Sequence, residues 1–245
     1  MGTIHGALPV GIRAQEARIK HAFSHSRVLV FGNTQGNKAA IADITSHART
    51  QDIRTIVSLG RFTRGDCTGA HGETPEKYLD NYRVLLRWVK EAPETRVWLG
   101  IMGKYDYMPK GDIVNEILER HLSFDGTRNS PVLFYRDQNI FFSHFSNILF
   151  EAFRSVKDTL KQDSPALLFF AHSYYMGVNQ GMSPDHPDYG PYKMEPPSYK
   201  EVLDLKDGEV YWISTGPNMR RDLGVNFAVY DPMKKTVTLQ TLPKK

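Results

Sequence analysis

The stretch Val28-Leu29-Val30-Phe31-Gly32-Asn33-Thr34-Gln35-Gly36-Asn37 decides how the rest of this chain is read. Four apolar, mostly branched or aromatic residues make a short buried strand. The run breaks into a polar turn with two glycines, and from Lys38 to Thr50 apolar residues return at helical spacing. Asn33 and Asn37 are both suited to cap that helix, because a short amide side chain satisfies a free N–H of the first turn. Strand, polar turn and helix together are the opening unit of an α/β sheet. In such sheets ligands sit beyond the C-terminal ends of the strands.

Working outward, strands are predicted at Val28–Phe31, Thr55–Leu59, Val97–Ile101, Val132–Tyr135, Ile140–Ser143, Leu167–Phe170, Val210–Ser214, Phe227–Tyr230 and Val237–Leu239. Helices are predicted at Lys38–Thr50, Pro75–Lys90, Gly111–His121 and Ile148–Lys161, with a short one near Ala14–Phe23. Tyr78, Tyr82, Leu85, Leu86 and Val89 form an amphipathic stripe on the second. Early βα units followed by a strand-rich C-terminal third imply a layered α/β sandwich rather than a barrel.

The 245 residues, 40% hydrophobic, suffice for one domain with its own core. The reading is a single domain over 1–245, with an N-terminal extension at 1–26 and a long insertion at 173–200. No apolar run reaches the ~18–20 residues of a membrane span, and no secretory signal is read. Cys67 is the only cysteine, which excludes a disulfide framework or a cysteine-based zinc cluster. A net charge of +4 and a pI near 9.0 come from scattered basic residues, so no nucleic acid is expected. Cytoplasm is the default location.

The strand ends carry the chemistry. After Gly32–Asn37 come Gly60-Arg61, Gly103-Lys104-Tyr105-Asp106, His144, and Ala171-His172-Ser173-Tyr174. Each has a plain structural explanation as a turn, a cap or a buried histidine. None is a Walker A sequence, a G-x-G-x-x-G turn or a G-x-S-x-G elbow.

Taken in order, these blocks resemble the calcineurin-like metallophosphoesterase family, especially its compact bacterial phosphodiesterase and diadenosine-tetraphosphatase-like branch. The family pattern is G-D-x-H-G-N, G-D, G-N-H-D/E, a histidine after a strand, and G-H-x-H. The tail Ile213-Ser214-Thr215-Gly216-Pro217, Arg220-Arg221 and Phe227–Asp231 is similar to that branch's closing segment. The resemblance runs from about Arg27 to Leu242 and implies a metallophosphoesterase-like sandwich of two mixed β-sheets flanked by helices.

It also implies where metal ligands would stand, and there the chain departs. Asn33 and Gln35 occupy the places of the first Asp and His, Arg61 that of the bridging carboxylate, Lys104 that of the amide ligand and Tyr174 that of the last His. Tyr105 replaces the family's proposed catalytic His. Asp106, His144 and His172 keep the family type. A cationic side chain has no lone pair to offer a metal. At ~4 Å and an effective dielectric of 20 it repels a unit charge by about 4 kcal/mol, and a divalent ion by twice that. No cofactor is therefore expected; the alternative is a single zinc or manganese on His144 and His172.

Arg61 would pair with Asp106 to consolidate the site, or join Lys104 in a pocket for an anion. The implied function is a catalytically inactive relative acting as a protein-binding scaffold or regulatory subunit, as the retromer subunit of this fold does. The alternatives are a phosphoesterase with altered, metal-poor chemistry, or a non-hydrolysing sensor of a phosphate-containing small molecule or nucleotide. The segment Ser173–Lys200, with five Pro, five Tyr, three Gly and three Met, is expected to be mostly irregular. Its Tyr175, Met176, Met182, Tyr189, Tyr192 and Met194 are the candidates for meeting an unidentified protein partner.

Overall fold

The computed structural model describes residues 20–35, 37–60, 75–93, 95–101, 132–171, 176–180, 200–218 and 224–243. The chain opens with βαβαβ: β1 (Val28–Phe31), α1 (Lys38–Thr50), β2 (Thr55–Ser58), α2 (Pro75–Lys90) and β3 (Val97–Gly100). A second group follows, with β4 (Val132–Tyr135), β5 (Ile140–Ser143), α3 (Ser146–Val156), β6 (Ala166–Phe170) and β7 (Met176–Gln180). It ends with β8 (Lys200–Asp204), β9 (Val210–Thr215), β10 (Val225–Asp231) and β11 (Thr236–Leu242). One-turn 3₁₀ segments follow β4 at Arg136–Gln138 and α3 at Lys157–Thr159.

Two mixed sheets result, as the resemblance implies. The first has six strands in the order β3-β2-β1-β10-β11-β8, the second five in the order β4-β5-β6-β9-β7. In the first sheet, β1, β2 and β3 are parallel and are buried on both faces, so they read as continuous apolar runs. The remaining pairs of that sheet are antiparallel. In the second, β5, β6 and β9 run parallel, with β4 and β7 antiparallel at the edges.

Alternation of side chains along each strand sorts the core into three layers. Val28, Val30, Val57, Leu99, Ala228 and Leu239 face Phe142, Leu167, Phe169, Tyr211 and Ile213 between the sheets. On the far side of the first sheet, Leu29, Phe31, Ile56, Trp98 and Phe227 pack against Ile41, Ile44, Leu85 and Trp88 of α1 and α2. Phe141, Leu168, Phe170 and Trp212 meet Leu149 and Phe153 of α3 on the far side of the second.

Several sequence expectations are corrected. Residues 20–25 are helical and carry Phe23, fully buried, into the inter-sheet core against Tyr135 and Phe142. They overlap the end of the short helix expected near Ala14–Phe23. The helix expected at Ile148–Lys161 starts earlier, at Ser146, and tightens to 3₁₀ at Lys157. The segment expected to be irregular contains β7 and ends on the first residue of β8. Met176, a candidate for partner contact, is 6% exposed in the inter-sheet core and cannot serve on a surface. The helix expected at Gly111–His121 lies outside the described residues.

Candidate functional site

Strand ends from both sheets meet at one point. The polypeptide beyond β1 approaches β2's exit, with Leu59 N donating to Phe31 O at 2.7 Å and Asn33 N to Gly60 O at 2.9 Å. The second sheet closes from the other side. A Cβ placed on Gly32 would stand 2.5 Å from the Cβ of Ala171 and 2.9 Å from that of Leu59. Only a residue without a side chain fits between the ends of β2 and β6. Nδ1 of His144, just past β5, lies 2.7 Å from the carbonyl oxygen of Leu59. The ends of β1, β2, β5 and β6 are thus in mutual contact.

The turn after β1 is bent by two left-handed residues, Asn33 at φ 57° and Gln35 at φ 45°. Asn tolerates that region well and Gln less so. Gln35 Nε2 donates to Asn33 Oδ1 at 3.0 Å, so the two side chains hold one another. Asn33 is 2% exposed, and Thr34 beside it is 1% exposed with an Oγ1 that has no hydrogen-bond partner among the described residues. Asn37 caps α1 as its sequence position predicts, its side chain accepting from Ala40 N at 3.3 Å.

A residue that sequence reading missed holds this turn in place. Asn218, fully buried after β9, donates from Nδ2 to Gly32 O at 2.9 Å and to Asn226 O at 2.8 Å. Its Oδ1 accepts from Asn226 N at 2.6 Å, and its backbone N donates to Asn33 O at 3.1 Å. Asn37 Nδ2 in turn donates to Asn218 O at 3.0 Å. One side chain therefore ties the first turn to the C-terminal strands. The available signal was an asparagine directly after a strand and a Gly-Pro pair, which alone reads as an ordinary turn.

His144 is fully buried. A carbonyl can only accept, so Nδ1 carries the proton toward Leu59, and in the neutral ring Nε2 holds the lone pair. The ring also stands edge-on to Phe145, with centroids 4.7 Å apart. This is how an imidazole is oriented for a metal or for proton transfer.

The donors around this point can be named only for the described residues. The buried polar side chains of the described residues are hydroxyls, amides and the His144 imidazole, with no carboxylate. The described residues hold no group of three or more His, Cys, Asp or Glu placed for a metal. At two of the positions where the resemblance puts the first metal's ligands stand Asn33 and Gln35, engaged with each other. Of the other expected positions, Arg61, Lys104, Tyr105, Asp106, His172 and Tyr174 lie outside the described residues. So do Tyr175, Met182, Tyr189, Tyr192 and Met194.

Among the described residues, no helix is long and apolar enough to cross a membrane. No protein-family model matches the chain, and no curated protein matches it. Among solved structures it is similar to a metallophosphoesterase from Sphaerobacter thermophilus, with 13% identity, 90% of this chain and 89% of that one covered, and a TM-score of 0.49. Yfce, a phosphoesterase from E. coli, shares 13% identity over 84% of this chain and 88% of its own, with a TM-score of 0.43. An archaeal phosphodiesterase shares 11% over 88% and 99%, with a TM-score of 0.48. The chain itself is a sandwich of a six-stranded and a five-stranded mixed sheet.

Proposed function

We propose that this chain is a catalytically inactive metallophosphoesterase-like protein that serves as a protein-binding scaffold or regulatory subunit. The observation that supports it is the pairing of Gln35 Nε2 with Asn33 Oδ1 at 3.0 Å. A two-metal phosphoesterase needs ions to make hydroxide and to neutralise charge on the phosphoryl group. Hard divalent ions want carboxylates at such a site. Two neutral amides bonded to each other bring no negative charge to attract such an ion. In the sequence, Arg61 and Lys104 replace two further ligands by cations.

Turnover of an aryl phosphodiester with added manganese tests the inactivity. No hydrolysis above background is expected. Turnover that disappears on changing His172 would overturn it. Partner binding is tested separately by affinity capture with Tyr189, Tyr192 and Met194 replaced by Ser. Because 176–180 form β7, deleting the whole insertion would damage the second sheet. An unchanged set of captured proteins would count against this surface.

A second reading, a phosphoesterase with metal-poor chemistry, draws on His144. Its Nδ1 is committed to Leu59 O, which leaves Nε2 as the basic nitrogen of the neutral ring. Such a group could act as an acid or base on a bound phosphoester. The same assay separates the two, since this reading requires turnover without metal that is lost in His144→Gln.

A further inference from the structure

A second place on the molecule has the chemistry of a ligand site. Helices α1 and α2 cover the outer face of the first sheet over β1 to β3 and Phe227. Beside α1, on the outer face of β10, β11 and β8, lies a groove of about 350 Å³. Its floor is made by alternate residues of β11, with Thr236, Thr238 and Gln240 facing out. Register sets Thr238 against Val202 of β8 and Val229 of β10, and Gln240 against Lys200. His47 and Gln51 of α1 form one wall. A volume of this order suits a small molecule.

The charge in the groove is one-sided. Among the described residues, Arg27, Lys200 and Lys234 line it against a single carboxylate, Asp231. Oδ1 of Asp231 is occupied with the N–H groups of Met233 and Lys234, both at 3.1 Å. The Arg27 guanidinium donates to the carbonyl of Gln51, which anchors it at the groove's end. Arg49 and Arg96 are paired with Glu91, and Lys235 with Asp207. Among the described residues, Lys200 and Lys234 have no such ion pair. His47 reports the resulting field. Burial holds its pKa below the usual value, and the charges of Arg27 and Lys200 lower it further.

We propose that this groove binds a small molecule through a phosphate or diphosphate group, with Arg27, Lys200 and Lys234 as the cations and the hydroxyls of Thr236 and Thr238 as neutral donors. Several cations beside hydroxyl donors match a multiply charged oxyanion better than a single carboxylate. The groove is on the opposite face of the first sheet from the inter-sheet core. It does not depend on whether the strand-end site is catalytic.

Inorganic pyrophosphate is the probe, followed by calorimetry and by NMR of the histidine rings. His47 is assigned through His47→Gln and through its contact with Phe227, whose ring centroid is 4.9 Å away. Binding is expected to raise the titration midpoint of His47, because the bound anion offsets Arg27 and Lys200 and outweighs the already present Asp231. Affinity should rise as pH falls through that midpoint. Lys200→Glu and Lys234→Glu should each weaken binding about tenfold or more, as loss and reversal of a charge-assisted contact. Both side chains are exposed, and an unchanged unfolding temperature would show that the variants fold.

Absence of binding at 10 mM, on the order of the weakest specific interactions, would overturn the proposal. So would binding that shifts His144 and leaves His47 unmoved, which would place the anion at the strand ends. A series of single-stranded oligonucleotides is the remaining arm. Affinity that keeps growing beyond two or three nucleotides would assign the groove to a nucleic-acid backbone and contradict the small-molecule reading.

Discussion

Asn218 Nδ2 lies 2.9 Å from the carbonyl oxygen of Gly32, a contact between residues 186 positions apart in the chain. The same side chain also accepts from Asn226 N and donates to Asn226 O, so all of its polar atoms are used in a site without solvent. The first turn is therefore held by the last third of the chain as well as by its own Asn33–Gln35 contact.

Asn218→Ala would strip partners from Gly32 O and from both backbone groups of Asn226. Each buried group left unsatisfied costs about 1–3 kcal/mol, so a loss of ~2–4 kcal/mol is expected after partial relaxation. At this chain length that corresponds to a fall of roughly 5–15 °C in Tm. Calorimetric unfolding checks it. A change below about 1 °C would mean the network adds nothing to stability.

Gly32→Ala tests the contact between the sheets. The new methyl would meet the Cβ atoms of Ala171 and Leu59, both short and attached directly to backbone. Neither can swing away, so the ends of β1 and β6 must separate. Overpacking of this kind costs about 1–3 kcal/mol. The double change Gly32→Ala with Ala171→Gly should recover part of that loss in denaturant unfolding, because it removes the nearer of the two clashes. No recovery would place the strain at Leu59 instead.

Glu91 ties α2 to α1 and to the start of β3. Its carboxylate takes a two-pronged contact from Arg49, at 2.8 and 2.6 Å, and another from Arg96 at 2.5 Å. The hydrogen bond from Arg49 is the largest cause holding its pKa at about 2, against 4.5 for the unperturbed group, with Arg96 adding to it despite opposing burial. A depressed carboxylate stabilises the fold above its unfolded pKa. That contribution is complete above about pH 4.5 and is lost as pH falls toward 2. The side chain is 36% exposed, so solvent screening reduces the contribution to about 1 kcal/mol. Glu91→Gln should therefore destabilise by that amount at pH 7 and by almost nothing near pH 2. An equal effect at both pH values would show that packing, not charge, is responsible.

What could be read from sequence follows from the range of the interactions involved. The buried strands β1, β5 and β6 and helices α1 and α2 announce themselves through their own apolar spacing. The Asn37 cap is a contact over three residues. Strands β7 and β8 escaped because their sequences, Met-Gly-Val-Asn-Gln and Lys-Glu-Val-Leu-Asp, carry little strand preference. They are strands because β9 and β11 pair with them. Asn33, Gln35 and His144 were singled out by their place after strands, and the structure brings Asn33 and His144 to neighbouring strand ends through Gly60 and Leu59. Asn218 was invisible for the opposite reason, since every partner that matters to it lies beyond its own turn or across the sheet.

The proposed inactivity rests on Asn33 and Gln35, bonded to each other, at positions where the resemblance puts ligands of a dinuclear centre. Electron paramagnetic resonance of the protein titrated with manganese tests this most directly. The expected spectrum is that of aqueous manganese, with at most one weakly held ion. An exchange-coupled signal from two manganese ions bound together would contradict it.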